Sequence, residues 1–293
     1  MSLTTSNVKH TAVIRYTEGL RQVPGNYRPL FRWHTDDEPS VRFAPLTGVG
    51  AVPQWSGGDL PTTQMDSAGA STVTYNKYGL QIQIDKYDAK DVPGIVEGAS
   101  AKIGIAVAQT YAVEAASQFN SSFTTVIGST PAGGQFVFDT DHPTASGATR
   151  SNKTTSALDR TAFMAAVQAY RTWVSYQNIN MDLTDLGFFL VIPPGLEETA
   201  VEILGSQYSS SQMQVNAAGA YNTTLVVWPH LTDSNNWFLM SKGELMMGFW
   251  ERSAPTFEVV YDQDNLNYKI NVDFAIKSFV HPTPDGGYGS AVT

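Results

Sequence analysis

The sequence contains no cysteine. This absence excludes disulfide bonds and thiolate metal sites, and it leaves the redox compartment undetermined. Charged residues are also scarce, at 15% of 293 residues, compared with roughly 25% in typical soluble domains. Ser, Thr, Asn, Gln and Gly take their place, so much of the surface is neutral and polar, which suits a chain whose faces touch neighbouring molecules.

Positive charge is not concentrated anywhere along the chain. Acidic residues outnumber basic residues by 27 to 18, which gives a net charge of -9, and no run of Lys and Arg occurs. Phosphate contacts need concentrated cations. The composition therefore argues against tight nucleic-acid binding.

Long apolar runs are missing as well. No stretch approaches the roughly 18 apolar residues of a membrane-spanning helix. Met1–Ser6 do not form a basic segment followed by an apolar run, so we expect no secretory signal and a soluble protein made in the cytoplasm. Hydrophobic residues make up 42% of the chain, which is enough for one large core or two modest ones.

The first 90 residues are rich in proline and glycine. Residues 1–35 are polar and interrupted by Pro24 and Gly25, so we predict an extended arm that lies on another element. Residues 36–90 follow. Within them we predict a long two-stranded hairpin from Ser40 to Asp88 with an irregular tip, because glycines and prolines precede an alternating apolar run.

This hairpin has few large apolar residues with which to build a core. Those near its tip and base are Trp55, Leu60, Met65 and Tyr78. An isolated two-stranded hairpin is marginal in water, so we predict that these four residues contact a neighbouring subunit. A hairpin that packs on its own domain is the alternative, and composition does not separate the two.

Beyond this hairpin, two patterns predict the main elements of the folded body, a central helix and an antiparallel hairpin. From Val92 to Phe119, apolar residues recur at steps of three and four and small residues dominate, which predicts a central helix that other elements approach closely. Residues 257–261 and 268–276 alternate between apolar and polar, which predicts an antiparallel hairpin that can pack on this helix. A Gly-, Pro-, Ser- and Thr-rich connection at residues 128–156 marks a boundary between two regions.

Residues 155–240 predict a compact region of helices and strands. We expect a helix with Ser156 as its N-cap and Asp159 three residues further on. Gly187–Ile192 predicts a buried strand followed by another helix, and Leu225–Trp228 and Trp237–Met240 predict two short strands. The predicted fold class is therefore α+β.

Residue patterns with catalytic chemistry are sparse. None of the five histidines shares a helical face with another histidine or a carboxylate at metal-ligand spacing. The best candidate for a cation site or a hydrolytic site is formed by Asp139, Asp141 and His142, because two carboxylates at this spacing can share a divalent ion. A polar turn closed by Pro143 is the favoured interpretation, because no second cluster supplies further ligands. We therefore expect no enzyme, metal or cofactor.

The order of the elements resembles a known family. An arm, a long hairpin, a small-residue helix, an Asp-rich junction, an α+β domain and alternating C-terminal strands follow one another as in the Hong Kong 97-type major capsid proteins of tailed bacteriophages. This resemblance covers essentially the whole chain. The local matches look most like the Mu-like major head subunits: Tyr78-Gly79-Leu80-Gln81-Ile82-Gln83-Ile84, Phe138-Asp139-Thr140-Asp141-His142-Pro143 and Leu190-Val191-Ile192-Pro193-Pro194.

This resemblance implies a domain division. Residues 1–35 would be the N-terminal arm and residues 36–90 the extended loop that overlies a neighbour. Residues 91–154 and 241–293 would form the peripheral domain with its long spine helix, and residues 155–240 the axial domain. Because no long helical segment precedes residue 35, any scaffold is expected to be a separate protein or a segment already removed.

The resemblance also implies a function. The chain would assemble with copies of itself into hexamers and pentamers that form the icosahedral shell of a virion in the host cytoplasm. The shell would enclose double-stranded DNA without sequence-specific binding, and its partners would include a decoration protein and a portal. Two alternatives stay open: an encapsulin-type compartment, which shares the fold and encloses enzymes, and a metal-dependent hydrolase that uses Asp139, Asp141 and His142.

Overall fold

The structure, a computed structural model, describes residues 5–43, 54–55, 57–60, 62, 71–126, 134–144, 146–176, 179–184, 186–205, 217–281 and 285–292. Its α-helices are α1 (Thr5–Gln22), α2 (Lys86–Asp91), α3 (Ile95–Asn120), α4 (Arg160–Arg171) and α5 (Glu197–Gly205). Its strands are β1 (Phe31–Thr35), β2 (Val41–Phe43), β3 (Ser71–Val73), β4 (Asn76–Asp85), β5 (His142–Pro143), β6 (Thr149–Arg150), β7 (Lys153–Thr154), β8 (Phe188–Ile192), β9 (Thr223–Val227), β10 (Trp237–Ser241), β11 (Met247–Asp262), β12 (Asn267–Val280) and β13 (Gly287–Ser290). Within the described ranges, no helix is long and apolar enough to cross a membrane.

One layer of the fold is a four-stranded sheet in the order β1-β11-β12-β4. β11 and β12 form the predicted C-terminal hairpin, which pairs from Met247 opposite Val280 to Asp262 opposite Asn267. The apolar half of the alternating pattern faces inward, because Ile270 and Ile276 are fully buried. The prediction of this hairpin is confirmed.

α3 packs on this sheet and is the predicted central helix. It begins at Ile95 after Gly94, a residue whose φ of 86° favours glycine. Tyr111 of α3 stacks between Phe249 and Phe274 of the hairpin, with ring centroids 5.6 and 5.4 Å away. These aromatic contacts hold the helix against β11 and β12, so the predicted packing of the hairpin on the helix is confirmed.

The small residues of α3 allow α1 to contact it through the backbone. A Cβ atom added at Gly104 would lie 2.2 Å from the carbonyl oxygen of Tyr16, and one added at Gly19 would lie 2.1 Å from that of Ala101. No side chain fits at either position without moving a helix. The prediction that other elements approach α3 closely is confirmed.

The N-terminal segment is helical where an extended arm was predicted. Residues 5–22 form α1 and end before Pro24 and Gly25, so these residues stop the helix rather than prevent it. Val8, Ala12 and Tyr16 recur at steps of four and are buried against the body. The prediction of an extended arm is wrong for residues 5–22. Packing on α3 stabilises this helix, and the polar composition of the segment gave no sign of that packing.

The predicted hairpin from Ser40 to Asp88 is also shorter than expected. β2 pairs with β3, whereas β4 pairs with β12 over its whole length. The inward side chains of β4 explain this pairing: Ile84 is buried and Tyr78 stacks on Phe274 at 5.2 Å. The projecting loop therefore comprises residues 36–75, and β4 belongs to the body.

The second layer is a five-stranded sheet in the order β7-β13-β10-β8-β9. The predicted strands at β8, β9 and β10 are confirmed, and α4 and α5 pack on this sheet as expected. β13 lies between β7 and β10, so the C-terminal segment returns to this layer. This pairing departs from the predicted division, which assigned all of residues 241–293 to the peripheral domain.

The start of α4 differs from its prediction by three residues. Asp159, and not Ser156, is the N-cap, and its carboxylate accepts a hydrogen bond from the backbone N–H of Ala162. The carbonyl of Ser156 instead accepts hydrogen bonds from Trp237 Nε1 and from the hydroxyl of Ser290. Ser156 thus ties the segment before α4 to the sheet.

Candidate subunit interface

Both legs of the projecting loop leave the four-stranded sheet at the same level. One row of paired residues crosses the sheet and contains Thr35, Glu251, Ile276 and Asn76. Thr35 is the last residue of β1 and Asn76 is the first of β4. Because β1 and β4 are the two edge strands, the legs start three strand spacings apart, which is roughly 14 Å.

The predicted contact residues near the tip are exposed. Trp55 is 54% exposed and Leu60 is 70% exposed. Gly57 and Gly58 between them have φ values of 109° and 89°, so the backbone here follows a path that favours glycine. Large apolar side chains held outside the body are typical of a surface that another molecule covers. Met65 lies outside the described residues.

Tyr78, the fourth predicted contact residue, is occupied within its own chain. Its hydroxyl donates to the carboxylate of Glu114 at 2.9 Å, and its ring stacks on Phe274. Burial and the hydrogen bond to Glu114 raise the pKa of Tyr78. Its contribution to a subunit contact stays a prediction.

Glu114 is a buried carboxylate that sequence reasoning did not single out. It accepts hydrogen bonds from Ser278, through both its backbone N–H and its hydroxyl, and lies 3.2 Å from Lys277 Nζ. The only sequence signal is a single acid among the alanines in the middle of α3. Its partners make it a structural link between α3 and β12.

The candidate cation site is used for internal hydrogen bonds. The carboxylate of Asp139 accepts from the backbone N–H groups of Phe136 and Thr140 at 3.1 and 2.8 Å. Burial alone would raise the pKa of Asp139, but these two hydrogen bonds hold it below its ordinary value. Asp141 is exposed, so the two carboxylates occupy different environments.

His142 is engaged by Asn152 within the fold. It is fully buried, and its Nε2 lies 3.0 Å from Asn152 Oδ1. Burial lowers the pKa of His142 and favours the neutral ring. In the part of the chain that the structure describes, no three His, Asp or Glu residues converge as metal ligands. The geometry favours the structural turn over the hydrolase alternative.

Two histidines that are far apart in sequence lie together at the foot of the loop. The rings of His34 and His281 are 5.8 Å apart, and Phe279 lies 5.1 Å from His281. Burial, with the nearby charge of Arg32 and His34, lowers the pKa of His281 to about 4. Sequence reasoning did not place these two histidines together, because the pairing of β1 with β11 has no local signal.

We expect acidification to destabilise the folded chain between about pH 6.5 and pH 4. The unfolded chain binds a proton at His281 near its ordinary pKa of roughly 6.5, whereas the folded chain does so only near 4. Protons therefore favour unfolding in this window, by about 1–2 kcal/mol once solvent screening is allowed for. Urea unfolding of the unassembled subunit at neutral and acidic pH measures the effect.

Two histidine variants isolate this contribution. His281→Gln should flatten part of the pH dependence, since the glutamine does not titrate. His10→Gln, at an exposed position of α1, should leave the profile unchanged. Equal pH dependence in the His281→Gln variant and the original chain would contradict the assignment.

The fold matches those of solved viral and virus-like shells. The mature capsid of bacteriophage PhiM1 aligns with a TM-score of 0.59 at 13% identity, over 91% of this chain and 86% of that chain. The capsid of cyanophage P-SCSP1u aligns with a TM-score of 0.59 at 14% identity, over 91% and 88%. The virus-like particle of Pyrococcus furiosus aligns with a TM-score of 0.56 at 10% identity, over 98% of both chains. The architecture is that of the Hong Kong 97-type shell subunits, and this prediction is confirmed.

The sequence itself shows the family. The model of a family described as phage capsid protein matches residues 69–289. A comparison with curated proteins gives no match. The matched span begins shortly before β3 in the sequence and extends through both sheets into β13. The chain therefore belongs to the phage capsid protein family and is a capsid shell protein. The finer resemblance to Mu-like head subunits stays a prediction.

Proposed function

We propose that this chain assembles with copies of itself into hexamers and pentamers that form an icosahedral shell around double-stranded DNA. The observation that carries the proposal is the projecting loop of residues 36–75, which leaves from both edges of the four-stranded sheet and exposes Trp55 and Leu60. In a single chain these side chains stay in water. A neighbouring copy that covers them gains the hydrophobic free energy of their burial.

The two layers suit different places in a capsomer. We propose that the four-stranded sheet with α1 and α3 is the peripheral domain, and that the five-stranded sheet with α4 and α5 is the axial domain around the capsomer centre. Residues 152–154 and the strand β13 pair within the five-stranded sheet. We therefore propose that the chain returns to the axial domain after β12, so that β13 belongs to the axial domain rather than to the peripheral domain.

The proposed shell is structural and has no catalytic role. The candidate residues Asp139 and His142 are engaged by backbone N–H groups and by Asn152. The net charge of -9 suits a wall that encloses DNA without adhesion, since like charges repel. We propose assembly in the host cytoplasm, with a separate scaffolding protein, a portal and a decoration protein as further partners.

The test of this function is particle formation and content. We expect purified chain to form closed shells in electron micrographs, with capsomers of six and five subunits. Shells from infected cells should contain double-stranded DNA that is protected from nuclease. A chain that stays a compact monomer at high concentration would contradict the proposal.

An encapsulin-type compartment is the second candidate. The alignment with the Pyrococcus furiosus virus-like particle over 98% of both chains is the observation that supports it. The fold alone does not specify what a shell contains. Shells that co-purify with an enzyme and contain no DNA would select this alternative. The same preparation, analysed by mass spectrometry and nuclease digestion, distinguishes the two.

A further inference from the structure

We propose that a cluster of five residues, here called the clasp, sets the direction in which the loop leaves the body and so positions it for the neighbouring copy. The clasp consists of Asp36, Asp37, Tyr75, Trp250 and Arg252. This inference rests on the proposed function, and it assigns to these residues a positioning role in assembly.

The first leg of the loop is held by hydrogen bonds to β11. Trp250 Nε1 donates to the carboxylate of Asp36 at 3.1 Å, and its distance to the carbonyl oxygen of the same residue is 3.4 Å. Arg252 Nε donates to the carbonyl of Asp37 at 3.2 Å. Two consecutive residues after β1 are therefore fixed by two residues of one strand.

The second leg is held by the same two residues of β11. The guanidinium carbon of Arg252 lies 4.2 Å from the ring centroid of Tyr75, the residue just before β4. The ring of Tyr75 meets that of Trp250 edge-on, at 5.8 Å and 87°. Trp250 is fully buried, and it contacts both legs through Asp36 and Tyr75.

A β-bulge directs Arg252 to this place. Glu251 pairs with Ile276 and Ser253 pairs with Ala275, so Arg252 is an extra residue without an opposite partner on β12. A bulge of this kind bends its strand and re-aims a side chain. β11 thus departs from regular pairing at the level where the two legs leave the sheet.

A cleft lies between the described part of the second leg and the spine helix α3. A cleft of about 450 Å³ separates residues 72–74 of the second leg from Ser117 and Gln118 near the end of α3. The cleft leaves space beside the second leg. A clasp at the point of exit is therefore the place at which the loop direction is controlled.

Four variants test the clasp. Arg252→Ala and Tyr75→Leu remove the stacked pair, whereas Tyr75→Phe keeps the ring and should behave as the original chain. Arg171→Ala is the matched control, because its guanidinium carbon lies 5.5 Å from the ring centroid of Tyr221 in the other layer. Arg171→Ala should also behave as the original chain.

Loop direction is measured in the unassembled subunit by spin labels. The chain has no cysteine, so Thr62→Cys and Gln109→Cys, both at exposed positions, place one label on the loop and one on α3 without background. We expect pulsed electron paramagnetic resonance to show a broader distance distribution for Arg252→Ala and Tyr75→Leu. An unchanged distribution in both variants would overturn the inference, whether or not the original chain forms shells.

Assembly is measured on the same variants without labels. Because every contact in a shell repeats the same loop geometry, we expect the yield of closed shells to fall at least roughly tenfold in Arg252→Ala and Tyr75→Leu. The thermal midpoint of the unassembled subunit should stay within about 2 °C, since both side chains are only partly buried. Normal shells from these two variants, or an equal loss in Arg171→Ala, would overturn the positioning role.

Discussion

A chain that lacks residues 49–67 is expected to fold and to form no closed shells. Phe43 of β2 pairs with Ser71 of β3 outside the deleted stretch, so a short connection can rejoin the two strands. Trp55 and Leu60 within the deletion are exposed, and their removal takes no packing from the body. The loss falls on the contact with a neighbour, where each buried side chain is worth roughly 1.5–3 kcal/mol.

Electron microscopy and sedimentation velocity measure the assembly of this chain, and circular dichroism measures its unfolding. We expect a thermal midpoint within about 2 °C of the full chain. Replacement of residues 54–62 by a Gly/Ser stretch of equal length separates the loss of side chains from the loss of length, and it should also abolish shells. Loss of cooperative unfolding would mean that the loop is part of the folded core. Normal shells would mean that the loop is not needed for assembly.

Asp285→Ala is expected to lower the free energy of unfolding by about 3–5 kcal/mol. The carboxylate of Asp285 accepts from Arg150 at 2.7 Å and from Trp173 Nε1 at 2.6 Å. The side chains of Arg150 and Asp285 are only 10% and 13% exposed. Without the carboxylate, the guanidinium of Arg150 loses one acceptor and keeps the carbonyl of Val174. The indole N–H of Trp173 loses its acceptor, and the segment that leads into β13 loses these contacts.

Urea unfolding of the unassembled subunit measures this effect. A double variant, Arg150→Met with Asp285→Leu, should recover at least half of the loss, because it removes both charges and fills the space with apolar atoms. Asp264→Ala, at an exposed position in the turn of the β11–β12 hairpin, should change the free energy by no more than about 0.5 kcal/mol. A loss under roughly 1 kcal/mol for Asp285→Ala would show that water replaces the pair.

The elements that sequence reasoning predicted well are those with a local period. The hairpin β11–β12 repeats its apolar residues at strand spacing, and burial follows this pattern in the structure. The helix α3 was predicted from apolar residues at helical spacing, but the pattern did not identify its buried face, because Val107 and Tyr111 are buried and Val113 is 53% exposed. The strand β8 was predicted from a continuous apolar run, and Phe188, Leu190 and Ile192 are fully buried. Local patterns suffice in these places because a large buried face dominates the free energy of each element.

The features that sequence reasoning missed depend on contacts between distant parts of the chain. α1 shows helical spacing at Val8, Ala12 and Tyr16, but Val13 and Ile14 face outward and blur the amphipathic pattern. β4 looks like one arm of a hairpin until its partner is known to be β12. The histidine pair and the clasp require the pairing of β1 with β11, which no local period predicts.

The pairing of both outer strands of the four-stranded sheet determines how late in synthesis the sheet can be completed. Phe31 finds its partner in Met247, and Asn76 finds its partner in Ile276, so neither edge can be completed before the ribosome has made most of the chain. Contacts of such long range slow folding and keep strand edges open during synthesis. Trp250 and Arg252 also emerge late, and until then the legs of the loop lack the contacts of the clasp. A nascent chain is therefore not competent to join a shell, and each subunit enters assembly only after its translation is nearly complete.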